Sequence, residues 1–283
     1  MVEKRLFLFD AMALIYNAYR NYGSLPMYSA NGTKTSVVYG FMLELNEIIR
    51  LQKPTHIAFA FDVKKPTFRH QLYSKYKAHR QPMPDEIAKS IPIIRKIIDL
   101  MHIQTFEMEG FEADDVIGTI AKKAVKSGFK VYLVTPDKDF CQLVENKIFM
   151  YKPKKSGKGV RIMGVNEVCS RYSIAEAIQF IDLMALCGDA SDNIPGIRGI
   201  SPKQAHKLIS EFGSVENMYN NLDKIGAKHQ ELLLDKREQL ELSKKLVTID
   251  LNVPIIVNLE NLCIQEFNNN ALKDYFDELN LVF

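Results

Sequence analysis

Residues 5–10 read RLFLFD, four apolar residues that run directly into Asp10. The same pattern returns at residues 56–62, HIAFAFD, and at residues 131–139, VYLVTPDKD. Short apolar runs bounded by polar residues are typical of buried strands. In an open α/β sheet, the chemistry lies beyond the carboxyl ends of the strands. The three runs therefore predict a sheet with several carboxylates gathered along one edge.

Two further acidic segments extend this set. Residues 112–115, EADD, open a predicted helix, and residues 188–193, GDASDN, follow a helix-like run. Carboxylates brought together in this way repel one another unless cations lie among them, which favours Mg²⁺, a cation that prefers oxygen ligands. No His/Cys set accompanies them, so zinc is disfavoured. The nine candidate ligands are Asp10, Asp62, Glu112, Asp114, Asp115, Asp137, Asp139, Asp189 and Asp192.

Each acidic segment also has a structural interpretation. Residues 112–115 would be favoured in a first helical turn by the helix dipole. Asp10 and Asp62 would serve as turn residues at strand ends, and residues 189–193 as an Asx-rich loop. If each segment had only its structural role, their shared placement at the ends of predicted elements would be a coincidence, which is the weaker explanation. The sequence has no Gly-x-Ser-x-Gly elbow and no phosphate-binding P-loop to suggest a different chemistry.

Strands and helices alternate up to about residue 165, which predicts an α/β fold with a twisted, mostly parallel sheet. From about residue 166 to 283 the pattern is mainly helical. Ser201 is predicted to cap a helix that begins at Pro202 and stops at Gly213. Strands are predicted at 6–9, 57–61, 104–107, 131–134 and 148–151, and helices at 35–51, 85–101, 113–127, 140–143, 174–187, 202–212, 215–221, 230–248 and 270–279.

The net charge of +3 conceals a segregation of charge. The chain has 37 Lys and Arg against 34 Asp and Glu; if nine acids belong to one site, 25 remain, a basic excess of 12. A basic surface around an acidic metal site suits a polyanion whose phosphate approaches the metal ions. No apolar run reaches the roughly 20 residues of a membrane span. The charged start argues against a secretory signal, and four scattered cysteines favour a reduced, cytoplasmic setting.

Two segments beside the carboxylates have features suited to nucleic acid. Residues 64–80 mix Lys and Arg with aromatic residues that can stack on unpaired bases, and a second basic run spans 152–161. Residues 193–203, NIPGIRGISPK, join two predicted helices through Gly196 and Gly199. This loop is similar to a helix-hairpin-helix, whose amides at the helix N-terminus can hold a backbone phosphate. A solvated basic helix and an ordinary glycine-rich turn are the alternatives.

The order of these motifs resembles the 5′-nuclease domain of bacterial DNA polymerase I. Bacteriophage flap endonucleases and the wider structure-specific 5′-nuclease superfamily are similar, and the resemblance runs from residue 6 to about 283. The motifs are LFD at 8–10, AFD at 60–62, SKYKAHR at 74–80, GFEADDV at 110–116, PDKD at 136–139 and GDASDNIPG at 188–196.

The resemblance implies a PIN-like nuclease core with a helical arch at about 64–100, and a helix–three-turn–helix that grips duplex DNA. It implies hydrolysis of a phosphodiester near a single-strand/duplex junction by two divalent ions, Mg²⁺ with Mn²⁺ as a substitute, and a K⁺ ion at the hairpin loop. The nine acids fall on the family's metal positions. Lys77 and Arg80 fall on arch positions that neutralise the scissile phosphate. The implied catalytic residues are Lys77, Arg80, Asp10 and Asp62. Implied DNA contacts are Tyr76, Lys77, Arg80, Gly196, Arg198, Gly199, Ser201 and Lys203.

Three positions depart from the family pattern. Ala11 follows Asp10 at a position where Gly is usual. Pro136 precedes Asp137 at a position where Ala or Gly is usual, and because Pro fixes φ it would stiffen the metal loop. Ser201 replaces the third hairpin Gly. We also predict how the ligands divide: Asp62, Asp114, Asp137 and Asp139 near one ion, Asp139, Asp189 and Asp192 near the other, and Asp10, Glu112 and Asp115 partly through water.

The sequence therefore favours a metal-dependent 5′→3′ exonuclease and 5′-flap endonuclease, acting on DNA in primer removal or repair. We expect a monomer that works beside a DNA polymerase, away from membranes. Two alternatives remain open: a metal-dependent nuclease directed at RNA, and a junction-binding protein without catalysis.

Overall fold

One six-stranded sheet organises the part of the chain that the computed structural model describes, residues 3–153, 160–265 and 269–283. The first five strands pair in parallel, and the sixth pairs antiparallel with the fifth. The order across the sheet is β3-β2-β1-β4-β5-β6. The strands are β1 Arg5–Asp10, β2 His56–Ala60, β3 Gln104–Phe106, β4 Lys130–Val134, β5 Ile148–Pro153 and β6 Val160–Met163.

The central strand β1 packs against both halves of the core. Its residues alternate: Leu6 and Leu8 belong to one buried cluster, and Phe7 and Phe9 to another. Such alternation follows from the two-residue period of a strand. Because β1 pairs with β2 on one side and β4 on the other, the strand order reverses there. Ligands bind at such a reversal in open α/β sheets, and Asp10 ends β1 at this point.

Helices cover both faces of the sheet and then form a second, helical part. The described helices are α1 Ala11–Tyr22, α2 Ser36–Gln52, α3 Phe68–Leu72, α4 Asp85–Leu100, α5 Ala113–Lys126, α6 Val165–Tyr172, α7 Phe180–Cys187, α8 Pro202–Phe212, α9 Val215–Asn220, α10 Ala227–Asp235, α11 Arg237–Val247 and α12 Asn269–Glu278. None of these helices combines the length and the apolar character that a membrane span requires.

The predicted α/β fold with a mostly parallel sheet is confirmed, and several boundaries differ. The predicted helix 230–248 is two helices, α10 and α11, because Lys236 leaves the helical conformation at φ −109°. The predicted helix 140–143 is a 3-10 turn, Asp139–Leu143. Helix α1 and strand β6 were not predicted. Most of the basic run 152–161 lies outside the described residues.

The last helix returns to the sheet instead of staying with the helical part. Leu272 and Phe276 of α12 belong to the buried cluster that contains Phe7 and Phe9. The backbone N–H of Ile264 also donates to the Thr55 carbonyl at 3.0 Å. A division at residue 165 therefore describes the order of elements but not the packing, since the chain end completes the core of the sheet.

Candidate nuclease site

A cavity of about 570 Å³ opens at the carboxyl edge of the sheet. Asp10 ends β1, Asp62 follows β2, and Asp137 follows β4, so the parallel strands bring three acids to one edge. Helix α5 and the loop after α7 add the remaining acids. Six of the nine predicted ligands line the cavity: Asp10, Asp62, Glu112, Asp114, Asp137 and Asp192.

Asp10 is held as the N-cap of α1. Its Oδ1 accepts from the Ala13 backbone N–H at 3.0 Å, and its Oδ2 accepts from the Thr135 hydroxyl at 3.2 Å. Burial raises the pKa of Asp10 to about 7, although the Ala13 bond opposes it, and the charges of Asp62 and Asp137 add to the rise. The carboxyl is thus fixed in place where a negative charge is costly without a cation.

The start of α5 supplies the second group of acids. Asp62 accepts from the backbone N–H of Ala113 at 2.8 Å, which ties the β2 end to this helix. Burial raises the pKa of Asp62. It also raises the pKa of Asp114 well above its usual range, with further contributions from Asp137 and Asp10. These acids therefore crowd one another in a desolvated space.

Two more acids lie beside the cavity: Asp139, which follows β4, and Asp189, which follows α7. Burial, followed by the charges of Asp137 and Asp189, raises the pKa of Asp139 to about 8. The Asp139 Oδ1 is buried without a hydrogen-bond partner. Asp189 is better compensated: its Oδ2 lies 2.8 Å from Lys138 Nζ, and its Oδ1 accepts from the Ser191 hydroxyl at 2.6 Å. These contacts outweigh burial and lower the pKa of Asp189.

The predicted arch segment reaches the carboxylates directly. Lys77 Nζ donates to Glu112 at 2.7 Å, and the Arg80 guanidinium donates to Asp192 at 2.5 Å. The Tyr76 hydroxyl donates toward Glu112 and Asp192 at 3.0 and 3.1 Å. Tyr76 is only 2% exposed, so its ring does not present a face for base stacking, and its contact with DNA stays a prediction.

Asp115 is separated from the other acids. It does not line the cavity, is fully buried, and forms a two-pronged ion pair with Arg69 at 2.7 and 2.8 Å. The sequence did not single out Arg69, because it lies among several basic residues of the 64–80 segment. Within a basic run, the sequence does not show which Arg is buried in an ion pair and which is a surface charge.

The donor set suits divalent cations, although the side chains do not yet converge. Among residues 3–153, 160–265 and 269–283, no group of three or more His, Cys, Asp or Glu side chains is arranged to hold a metal ion. The cavity acids offer only oxygen donors, which hard cations prefer. The unpartnered Asp139 Oδ1 and the raised pKa values of Asp10 and Asp114 mark negative charge that is not compensated. Cations bound among them would relieve that cost.

The hairpin loop is packed against the segment that carries Asp189. Gly188 and Gly196 have φ of 70° and 55°, and a Cβ on either would overlap the backbone of the other. Ser201 caps α8 as predicted, accepting from the Gln204 backbone N–H at 3.3 Å, and Gly213 ends that helix at φ 80°. Arg198, Gly199, Ser201 and Lys203 are exposed beside the turn.

Two family models match consecutive parts of this chain. Residues 5–173 match the family described as 5′-3′ exonuclease, N-terminal resolvase-like domain, and residues 175–270 match 5′-3′ exonuclease, C-terminal SAM fold. The chain belongs to the 5′–3′ exonuclease family. The predicted nuclease identity is therefore confirmed.

This 5′–3′ exonuclease resembles longer curated proteins. It is 39% identical to DNA polymerase I of Bacillus subtilis over 279 residues, covering 98% of the chain and 31% of that protein. It is 37% identical to DNA polymerase I of Streptococcus pneumoniae over 282 residues, covering 99% and 32%. The chain spans about a third of the length of these relatives.

Solved structures share the fold of the 5′–3′ exonuclease. A bacteriophage T5 flap endonuclease, solved as a pseudo-enzyme–product complex with DNA and metal ions, has a TM-score of 0.73 and 20% identity, covering 97% of this chain and 98% of its own. The catalytic core of Rad2 in complex with DNA substrate has a TM-score of 0.64 and 16% identity, covering 98% and 88%.

Proposed function

We propose that this 5′–3′ exonuclease hydrolyses DNA phosphodiesters at 5′ flaps and single-strand/duplex junctions, using divalent metal ions, in primer removal or repair. The observation that carries the proposal is the cavity in which six carboxylates from five separate segments lie together with Lys77 and Arg80. The related T5 flap endonuclease and Rad2 structures, which contain DNA, and in the T5 case metal ions, support it.

Two Mg²⁺ ions, with Mn²⁺ as a substitute, would be held by the cavity acids together with Asp139 and Asp189. When bound, such ions supply the Lewis acidity that activates a water and stabilises the leaving oxygen. Lys77 and Arg80 bring positive charge to the same space, where a phosphate can replace Glu112 and Asp192 as their partner. The backbone N–H groups of Ala13 and Ala113 hold the Asp10 and Asp62 carboxylates in fixed positions at the edge of the cavity.

The hairpin and α8 would hold the duplex side of the junction. The exposed Arg198 and Lys203 lie beside the N-terminus of α8, whose positive dipole end attracts a backbone phosphate without reading sequence. We also propose a K⁺ ion at the Gly196–Ser201 backbone. The four free cysteines support a reduced, cytoplasmic setting. A monomer acting beside a DNA polymerase completes the proposal, supported by the DNA polymerase I relatives.

The test is the double variant Asp114→Asn and Asp192→Asn. We expect its cleavage of a 5′-flap duplex in Mg²⁺ to fall by about a thousandfold or more, because metal-ion catalysis supplies several kcal/mol. Flap binding, followed by fluorescence anisotropy in Ca²⁺, should remain measurable. The matched control is Asp235→Asn, an exposed acid outside the cavity, which should cleave like wild type. Full activity of the double variant would refute the metal assignment.

A further inference from the structure

Arg69 lies buried at the base of the arch and uses every nitrogen of its guanidinium. The chain leaves it 2% exposed, on the short helix α3. Its Nη1 and Nη2 donate to Asp115, Nε donates to the Leu246 carbonyl at 2.9 Å, and Nη2 also donates to the Thr248 carbonyl at 2.8 Å. The two carbonyls belong to the end of α11. Arg69 therefore joins the arch to α5 and to the helical part at one point.

Asp115 has no lone pair left for another partner. Its Oδ1 accepts from Arg69 and from the Asp250 backbone N–H at 2.8 Å. Its Oδ2 accepts from Arg69 and from the Glu112 backbone N–H at 2.9 Å. An ionised carboxylate offers about four acceptor sites, and here four donors occupy them. A metal ion at Asp115 would have to break this buried pair, which is strongly unfavourable because Arg69 would keep only the Glu112 carboxylate, 3.4 Å away, as a counter-charge.

We infer that Asp115 is a positioning residue and not a metal ligand: with Arg69 it locks Glu112 and the arch base onto the end of α11. The inference rests on the proposed function and revises the assignment of one of its nine acids. It deepens that function by linking the duplex-gripping helical part to the catalytic edge through the buried Arg69 and its partners Asp115 and Glu112.

The connection from this pair to the reactive groups is short. The Tyr73 backbone N–H donates to the Arg69 carbonyl at 2.9 Å, and the Tyr76 N–H donates to the Tyr73 carbonyl at 2.9 Å. Tyr76 in turn donates to Glu112, and Lys77 follows it directly. A shift of the pair would therefore move Lys77 and Glu112 together. Misplacement of about 1 Å can cost about a hundredfold in rate.

The first test compares neighbouring acids, Asp114→Asn and Asp115→Asn, by counting bound Mn²⁺ with electron paramagnetic resonance in the absence of DNA. We expect Asp115→Asn to bind as many Mn²⁺ ions as wild type and Asp114→Asn to bind fewer. In flap cleavage, Asp115→Asn and Arg69→Met should each lose about a hundredfold in kcat, with KM nearly unchanged. Loss of a Mn²⁺ ion in Asp115→Asn but not in Arg69→Met would overturn the inference. So would a lowered Tm with an unchanged kcat, which a purely structural pair would give.

A second measurement needs no variant, and it tests whether a metal ion binds at Asp115 even if the variants fail to fold. Side-chain ¹⁵N signals of arginine are followed in the wild-type protein while Mg²⁺ is added. The Arg69 Nη signals should stay protected and unshifted, whereas those of Arg80, whose partner Asp192 lines the cavity, should move. Equal shifts at both arginines would contradict the inference. A wild-type chain that neither binds Mn²⁺ nor cleaves a flap would refute the proposed function itself, a result distinct from these.

Discussion

At the scale of single residues, Glu44 on α2 gives a pH dependence that is separate from the cavity. Burial raises the pKa of Glu44 from 4.5 to about 7, although hydrogen bonds from Asn17 and Asn21 oppose the rise. The folded state therefore carries a charging cost above about pH 7, which disappears below about pH 4.5, where both states are protonated. Stability falls as the pH rises between these values.

Glu44→Gln removes this cost. We expect the variant to be more stable than wild type by about 3 kcal/mol at pH 8 and equal to it near pH 4. Urea unfolding at both pH values measures the difference. Glu47→Gln on the same helix, at an exposed position, should change stability little at either pH. An equal gain from Glu44→Gln at both pH values would show that charge is not its cause.

Single residues also show what the sequence could reveal about the site. The positions of Asp10 and Asp62 at strand ends were predictable, because an apolar run followed by an acid indicates both a strand and where it ends. The pairing of Asp115 with Arg69 was not, because 46 positions separate the partners and only the folded chain brings them together. The same holds for Lys138 and Asp189, whose contact depends on how the helical part packs on the sheet.

At the scale of elements, the hairpin depends on two glycine backbones in close contact. Gly196→Ala would place a Cβ against the Gly188 backbone at a φ of 55°. We expect a loss of about 1–3 kcal/mol in stability and weaker binding of duplex DNA, because the loop must open. Thermal unfolding and anisotropy measure the two effects. Gly226→Ala, where the added Cβ meets open space, should stay within about 0.5 kcal/mol of wild type; similar losses in both variants would exclude the contact as the cause.

Elements were predictable where a local pattern decides them. Helix α8 has its cap, Pro202 and Gly213 in the sequence, and its predicted bounds agree with the structure. The break at Lys236 has no such signal, since residues 230–240 contain neither Gly nor Pro, and tertiary packing decides the change of direction. Helix α1 has no separate start signal in the sequence, because its N-cap, Asp10, is also the last residue of β1.

At the scale of the whole molecule, α12 completes the core of the sheet. Phe276 is 9% exposed and packs in the cluster with Phe7 and Phe9. Phe276→Ala should cost about 3 kcal/mol through lost burial and the cavity left behind. Val282→Ala, at a residue that is 90% exposed, should cost less than about 0.5 kcal/mol. Guanidinium unfolding compares them; equal and small losses would mean that α12 is only loosely attached.

The charge of the whole molecule was readable from composition, whereas its distribution in space was not. The basic excess left after the nine acids were set aside predicted a polyanion, and Lys77 and Arg80 do lie in the acidic cavity. The sequence did not show that these cations would contact Glu112 and Asp192 directly. Such contacts depend on how residues 75–80 dock against the loop after α7, which local patterns do not encode.

Cleavage of a 5′-flap duplex labelled at each end tests the central claim most directly. We expect the wild-type chain, in Mg²⁺ or Mn²⁺, to release 5′ fragments by cutting close to the junction. We also expect chelation by EDTA to abolish the cut, and a DNA flap to be cut faster than an RNA flap. Preference for the RNA flap would point to the RNA-directed alternative. Tight flap binding without any cleavage in excess Mg²⁺ or Mn²⁺ would contradict the account and leave a junction-binding protein in its place.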